Sequence, residues 1–304
     1  MDYKIAEEVL QEAVTDLKTI SDFIRWTACC FEESDLSFGH GTDNGWDEAI
    51  TLVLDSLSMP KDTDPSLFNC RLISTEKKLL VNNIAQRIND KKPLSYITNS
   101  AIFAGQEYYI DERVLVPRSP IAELILNKYE PWLLYPPQKI LDLCTGSGCI
   151  ALASAMAFPE SEVDASDISE DALAVAEINR ASFGLEEQCQ LIQSDLFENL
   201  QGNKYDLIIS NPPYVDAVDM AMLPKEYRFE PELGLASGKD GLDLTRIILA
   251  QARDFLNTNG VLIVEVGNSA PALEKAFPEL PFTWLSFERG GEGVFMLERS
   301  QLPE

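Results

Sequence analysis

The sequence predicts an α/β protein in two parts, an N-terminal helical domain followed by a mostly parallel sheet covered by helices. Three observations carry this. From Lys139 onward, apolar strand-like runs alternate with helical patterns, the signature of a parallel sheet wrapped on both faces. A glycine-rich segment, "LDLCTGSGCIA", joins the first of these strands to its helix. Before Pro93, apolar residues recur at helical spacing instead.

Taken in order, Leu10, Val14, Leu17, Ile20 and Ile24 recur every three to four residues, as do Leu80, Ile84 and Ile88. Between them, "FGHGTDNGWDEAI" is a Gly-rich turn in which Asn44, Gly45 and Trp46 lead into another helix. The stretch "ITNSAIFAGQEYYIDERVLVP" has β-rich pieces around Gly105 and predicts a hairpin. "PRSPIAELIL" then starts a helix, with Ser119 as N-cap and Pro120 at its first position. Strands follow at "KILDLC", "EVDASD", "QLIQSD" and "YDLIIS", with helices at "SGCIALASAMAF" and "SEDALAVAEINR". The helix "LTRIILAQARDFL" precedes a strand, "GVLIVEVG", and strands at "FTWLSFE" and "GVFMLER" complete the chain. The expected division is a helical domain over 1–92, a hairpin and linker over 93–118 and a catalytic domain over 119–304.

The composition, 45% apolar and 24% charged over 304 residues, is that of a globular protein. A chain of this length buries roughly three quarters of its unfolded surface. No window approaches the ~18 apolar residues of a membrane span, and the acidic start "MDYKIAEEVLQEAV" lacks the shape of a signal peptide. The expected location is the cytoplasm. The 24 Lys plus Arg stand against 50 Asp plus Glu, a net charge of −26. Such a surface repels a phosphate backbone and attracts a basic partner. The six cysteines contain no C-x-x-C, and the single histidine is His40, so neither a zinc site nor a Cys-His nucleophile is expected.

Gly146, Gly148 and Ala151 satisfy G-x-G-x-x-A, which by itself admits a dinucleotide. Asp167, ending the second strand, stands where a ribose-binding acid belongs. Asp142 argues for a different ligand. It lies four residues before Gly146, where a dinucleotide brings in its pyrophosphate, and a carboxylate there repels two phosphates. S-adenosylmethionine carries a sulfonium and an ammonium and reverses the sign. Asp195, ending the third strand, stands near where the adenine amino group belongs, with Leu196 as apolar cover.

The fourth strand ends at "SNPPY". Proline fixes φ and donates no hydrogen bond, and the residue before it is pushed to extended geometry. Asn211 is therefore held on a stiff loop whose carbonyls no ladder claims. Ligands in open α/β sheets bind at the carboxyl ends of the strands, which makes Asn211, Pro212, Pro213 and Tyr214 the acceptor site. A planar nitrogen is a poor nucleophile because its lone pair is delocalised. Two acceptors, Asn211 Oδ1 and the Pro212 carbonyl, gripping both N–H hydrogens would raise its electron density and aim it. Tyr214 would pack against its plane. The same grip suits amino groups on adenine or guanine, a rival that the charge and the lack of a Lys/Arg cluster disfavour.

The combination "LDLCTGSG", "VDASDIS", "QSDLF" and "SNPPY" resembles the class I (Rossmann-like) S-adenosylmethionine-dependent methyltransferases. Within them it resembles the HemK-like protein-glutamine methyltransferases, from about Ile97 to the C-terminus, including "RVLVPRSPIAELI" and "FEPELGLASGKDGL". The pattern around "GHGTDN" and "WDEA" is most similar to the branch that acts on ribosomal protein L-three, while the release-factor branch is similar only across the catalytic domain. The resemblance implies methylation of a glutamine side-chain amide in a basic ribosomal protein, while the hydropathy and the charge argue against membrane and nucleic-acid partners. It also implies a seven-stranded sheet whose last strand is antiparallel and inserted between its neighbours. Carried over by motif, Cys144, Thr145, Gly146, Ser147 and Gly148 would line the methionine moiety and Asp167 the ribose. Tyr109 matches an aromatic beside the methyl donor. Leu196 stands where relatives often carry an aromatic, and Cys144 where many carry glycine.

Overall fold

A computed structural model describes residues 3–39, 41–42 and 44–304, so His40 and Asp43 of the Gly-rich turn lie outside the described residues. The chain forms two compact units, one of residues 1–101 with 224–229, the other of residues 102–223 with 230–304.

The first unit is helical. It holds α1 (Glu7–Asp16), α2 (Ile20–Glu32), α3 (Gly45–Ser56), α4 (Ser74–Ala85) and α5 (Leu94–Thr98). The apolar spacing that runs through Leu10, Val14, Leu17, Ile20 and Ile24 does not make one helix. Thr19 interrupts it, because its hydroxyl accepts from Asp22 N at 3.1 Å while Asp22 Oδ2 accepts from Thr19 N at 2.9 Å. This reciprocal box satisfies two donors that a continuing helix would have paired internally. Asn44 caps α3 by accepting from Asp47 N at 2.9 Å. Gly45 lets α3 start close against α2, since a Cβ there would lie 3.1 Å from Phe31 Cβ. Phe23, Phe31, Leu52, Leu80, Ile84 and Ile88 form the core.

Arg87 is also in that interior, 1% exposed. Its Nε donates to Glu48, its Nη2 to the Ser37 carbonyl at 2.9 Å, and its Nη1 lies 3.5 Å from Glu226. Glu226 belongs to the segment Pro224–Phe229, which the chain contributes to this unit from far downstream.

A short hairpin of β1 (Ser100–Phe103) and β2 (Gln106–Tyr109) begins at the end of the first unit's N-terminal segment and leads to α6 (Ile121–Leu126) of the second unit. Ser119 Oγ accepts from Ile121 N at 3.2 Å, but the helix starts one residue later than the sequence suggests, with Pro120 rather than Ser119 at its N-cap. The sheet contains β3 (Lys139–Leu143), β4 (Glu162–Asp167), β5 (Cys189–Gln193), β6 (Tyr205–Ser210), β7 (Leu256–Glu265), β8 (Thr283–Trp284) and β9 (Val294–Glu298). Its order is β5-β4-β3-β6-β7-β9-β8. The pairs from β5 across to β7 are parallel, and β9 runs antiparallel to both β7 and β8. The seven-stranded sheet with an inserted antiparallel strand is thus present, although "FTWLSFE" yields only two residues of β8.

Its helices are α7 (Cys149–Ala157), α8 (Glu170–Phe183), α9 (Ala217–Met222), α10 (Asp243–Phe255) and α11 (Ala270–Ala276). Ser169 caps α8 by accepting from Ala172 N at 3.2 Å, and Gly184 ends it at φ 66°. The central strands β3 and β6 are buried on both faces, as parallel strands between helices must be. No helix among the described residues is long and apolar enough to cross a membrane.

Candidate active site

Strand order reverses between β3 and β6, the place where open α/β sheets bind ligands. These two strands pair in register, Leu143 opposite Ser210, and Ser210 Oγ donates to the Leu143 carbonyl at 2.9 Å. Adjacent strands lie about 4.8 Å apart, so the glycine loop beginning at Cys144 and the acceptor loop beginning at Asn211 leave the sheet side by side.

The glycine loop is braced from beneath. Asp142 is fully buried, and its Oδ2 accepts from the Thr145 hydroxyl at 2.5 Å and from Ala151 N at 3.1 Å. Its Oδ1 has no hydrogen-bond partner among the described residues. Burial pushes the Asp142 carboxyl up to about 7, against the pull of those two donors. Cys144 takes φ 60° and Gly146 φ 56°, so the chain turns through left-handed geometry at both. Gly146 has open space where a Cβ would stand, whereas a Cβ on Gly148 would meet Ala176 Cβ at 3.2 Å. The first glycine leaves room for a ligand and the second lets α7 and α8 approach. Burial, then the charges of Asp167 and Asp142, raises the Cys144 thiol and keeps it un-ionised.

Asp167 lies at the rim of the same loop. Its Oδ2 accepts from Gly146 N and its Oδ1 from Ser169 N, both at 2.9 Å. Burial raises its pKa, opposed by the backbone amides of Ser169, Gly146 and Ile168. Asp195 is exposed, and the turn after β5 is capped by Ser194, whose hydroxyl accepts from Asn199 N at 3.0 Å. Leu196, 6% exposed, packs into the core with Phe197 and Leu200, leaving little side chain to cover a ring.

Tyr109 reaches this site through a residue that the sequence did not single out. Asn179 on α8 accepts from Tyr109 N at 2.7 Å and donates to the Tyr109 carbonyl at 3.0 Å and the Ser147 carbonyl at 2.9 Å. One buried amide thus joins the hairpin to the glycine loop. Its signal was only an Asn in mid-helix, where side-chain hydrogen bonding commonly explains the residue.

On the acceptor side, Pro212 and Pro213 are buried while Asn211 and Tyr214 are partly exposed. Among the described residues, nothing donates to the Asn211 side chain or to the Pro212 carbonyl. Both acceptors stay available at the edge of a core. Tyr214 Oη donates to Glu265 Oε1 at 2.9 Å, and the Tyr214 carbonyl accepts from Ser269 Oγ at 2.9 Å.

Comparison with known proteins agrees with this geometry. Residues 122–224 match the family "Methyltransferase small domain". The chain is 47% identical to the "Ribosomal protein uL3 glutamine methyltransferase" of Francisella tularensis subsp. tularensis (strain SCHU S4 / Schu 4), over 98% of this chain and 95% of that one. It is 48% identical to the protein of the same name from Neisseria gonorrhoeae (strain ATCC 700825 / FA 1090), over 97% and 99%. The chain belongs to the uL3 glutamine methyltransferase family. It is therefore an enzyme, a methyltransferase. Among solved structures, the hMettl16 catalytic domain in complex with MAT2A 3'UTR hairpin 6 overlays with a TM-score of 0.50 at 14% identity, over 72% of this chain and 79% of that one. That likeness concerns the fold of the methyltransferase sheet alone.

Asp142 fits the cofactor that this family's chemistry requires. A buried carboxylate oxygen with no partner, at the foot of a glycine loop, suits a ligand with positive charge and no phosphate.

Proposed function

We propose that this methyltransferase moves a methyl group from S-adenosylmethionine to the side-chain amide nitrogen of a glutamine in ribosomal protein uL3, in the cytoplasm. The observation that carries it is the pairing of Leu143 with Ser210, which starts the glycine loop and the uncommitted Asn211–Pro212 acceptors side by side. The names of relatives 47% and 48% identical over nearly the whole chain supply the substrate.

When bound, S-adenosylmethionine supplies a methyl group on a sulfonium, an electrophile that needs no further activation. The loop Cys144 to Gly148 and Asp142 hold its charged methionine end, and Asp167 accepts from the ribose hydroxyls. Tyr109 and Asp195 complete the cofactor's surroundings, with Leu196 beneath them in the core. Asn211 Oδ1 and the Pro212 carbonyl accept the two N–H hydrogens of the glutamine amide. That grip turns the nitrogen lone pair toward the methyl carbon and raises its electron density. Pro213 keeps the Pro212 carbonyl from swinging, and Tyr214 covers the amide plane. The nitrogen loses its proton only after the new N–C bond has formed, so no general base is needed beforehand. Rate then comes from alignment and exclusion of water.

The net charge of −26 favours encounter with a strongly basic ribosomal protein and opposes approach to nucleic acid. The helical unit takes the role of substrate recognition, since the groups that transfer the methyl belong to the other unit.

The test is transfer from labelled S-adenosylmethionine to purified uL3, a release factor and duplex DNA in parallel, with Asn211→Ala as control. Label on one glutamine of uL3, lost in the variant, supports the reading. Label on the release factor alone keeps the chemistry and replaces the substrate. Label on DNA overturns both the substrate and the charge argument.

A further inference from the structure

The acceptor loop is held from behind by a polar cluster that the transfer step does not itself use. Glu265, the last residue of β7, is 5% exposed. Its Oε1 accepts from Tyr214 Oη at 2.9 Å and its Oε2 from Ser119 Oγ at 2.5 Å. Ser119 Oγ in turn accepts from Ile121 N at 3.2 Å, so its hydroxyl proton is directed at the carboxylate. The backbone is shaped around the same ring. A Cβ on Gly267 would lie 2.6 Å from Tyr214 Cε2, and one on Gly241 would lie 2.2 Å from the Tyr214 carbonyl oxygen. Ser269 Oγ donates to that carbonyl at 2.9 Å.

Nothing in this arrangement looks built for stability. A carboxylate taken out of water is costly unless it is paired. Burial raises the Glu265 carboxyl, opposed by the hydroxyls of Ser119 and Tyr214 and by the charge of Arg118. Arg118 is itself engaged by Glu230, at 2.5 and 2.8 Å, and gives Glu265 no direct partner. An apolar residue or an amide would fill the space without that penalty. What the carboxylate adds is direction, since Ser119 holds one of its oxygens and so sets the angle at which the other receives the Tyr214 hydroxyl.

We infer that Glu265 and Ser119 are positioning residues for methyl transfer: Ser119 orients the Glu265 carboxylate, which fixes the Tyr214 ring and thereby the adjoining Asn211–Pro213 stretch. The proline pair makes this effective. Pro212 and Pro213 remove two φ rotations between Tyr214 and Asn211, so a ring held at one end restricts the amide at the other. Neither positioning residue touches the reacting atoms. The inference rests on the acceptor role proposed for Asn211 to Tyr214.

The test compares the full-length protein with Glu265→Gln, Tyr214→Phe, their double variant, Ser119→Ala and Ser119→Thr. Each is assayed for kcat on uL3, Kd for S-adenosylmethionine and melting temperature. In Glu265→Gln, kcat falls at least tenfold, cofactor Kd stays within twofold and the melting temperature holds or rises. The double variant is no slower than the slower single one, because both changes break one linkage. Ser119→Thr restores what Ser119→Ala loses. An unchanged kcat in Glu265→Gln, or losses that multiply in the double variant, overturns the inference.

A second readout does not depend on the substrate. With 3-fluorotyrosine at position 214, the 19F resonance shifts in the same direction in Glu265→Gln and Ser119→Ala. If the wild type methylates no glutamine, the proposed function fails and this shift still decides the linkage. A resonance unmoved by either change overturns it.

Discussion

Leu143 and Ser210 stand opposite each other on parallel strands, tied by a hydrogen bond of 2.9 Å from Ser210 Oγ to the Leu143 carbonyl. One residue further on, the two chains become the loop for the methyl donor and the loop for the methyl acceptor. A fixed register in the sheet thus brings together two motifs that are 67 residues apart in sequence, Cys144 and Asn211. Sheet register is rigid to within a fraction of a residue step, because a slip of one residue would turn every side chain to the wrong face.

Asn211→Ala removes one of the two acceptors. Loss of a single preorganised group of this kind typically costs about 100- to 1,000-fold in rate. The expected outcome is a kcat lower by roughly 100-fold or more, with the Kd for S-adenosylmethionine within a few fold of wild type. Single-turnover transfer with separate measurement of cofactor binding checks both.

Asp142 makes stability depend on pH. Its folded pKa of about 7 lies above the ordinary carboxylate value. A raised carboxyl contributes stability that is fully present below its unfolded pKa and is lost as pH rises through the folded one. The free protein should therefore lose stability between about pH 4 and pH 7, by at most roughly 4 kcal/mol from this group. Asp142→Asn should flatten that part of the profile and weaken cofactor binding together. A cationic ligand favours the carboxylate, so cofactor binding near pH 6.5 should release a proton. Titration calorimetry in two buffers of different ionisation enthalpy measures it.

Asn179→Ala leaves the Tyr109 N–H and the carbonyls of Tyr109 and Ser147 without their partners. Each unsatisfied buried group costs about 1–3 kcal/mol, so a stability loss near 3 kcal/mol is expected. Cofactor affinity should fall at least tenfold, because the hairpin and the glycine loop are no longer held together. Denaturant melts and binding isotherms of one preparation give both numbers.

Arg87→Met tests the helical unit. It leaves the carboxylates of Glu48 and Glu226 buried without their guanidinium. Removing one partner of a buried pair costs about 3–5 kcal/mol. The segment carrying Glu226 follows the acceptor loop in sequence, so methylation of uL3 should fall more than cofactor binding does.

Much of the site could be read from short windows of sequence. The glycines of "CTGSG" admit left-handed geometry, and Gly146 and Gly148 adopt it, as does Cys144 beside them. "SNPPY" demanded a stiff ending to a strand, and β6 stops at Ser210. These signals are legible because glycine admits left-handed geometry and proline fixes φ, each at its own position. The break between α1 and α2 at Thr19 was in principle legible too, since Thr-x-x-Asp closes a box of the capping kind; the continuous apolar spacing across it obscured the stop.

Other features belong to pairs that no window contains. Asn179 meets Tyr109 across 70 residues, and Ser119 meets Glu265 across 146. Pro224–Phe229 leaves the unit on either side of it to supply Glu226 to Arg87, 139 residues away. Leu196 had a place beside the adenine by sequence position, yet packing drew it into the core. The sequence by itself determined the elements, the two loops and the chemistry they suit, because steric limits and periodicity act within a few residues. Only the tertiary structure decided which buried polar group completes which loop. A side chain's partner across the fold depends on how helices and strands pack, and burial leaves each such group only the partners that packing supplies.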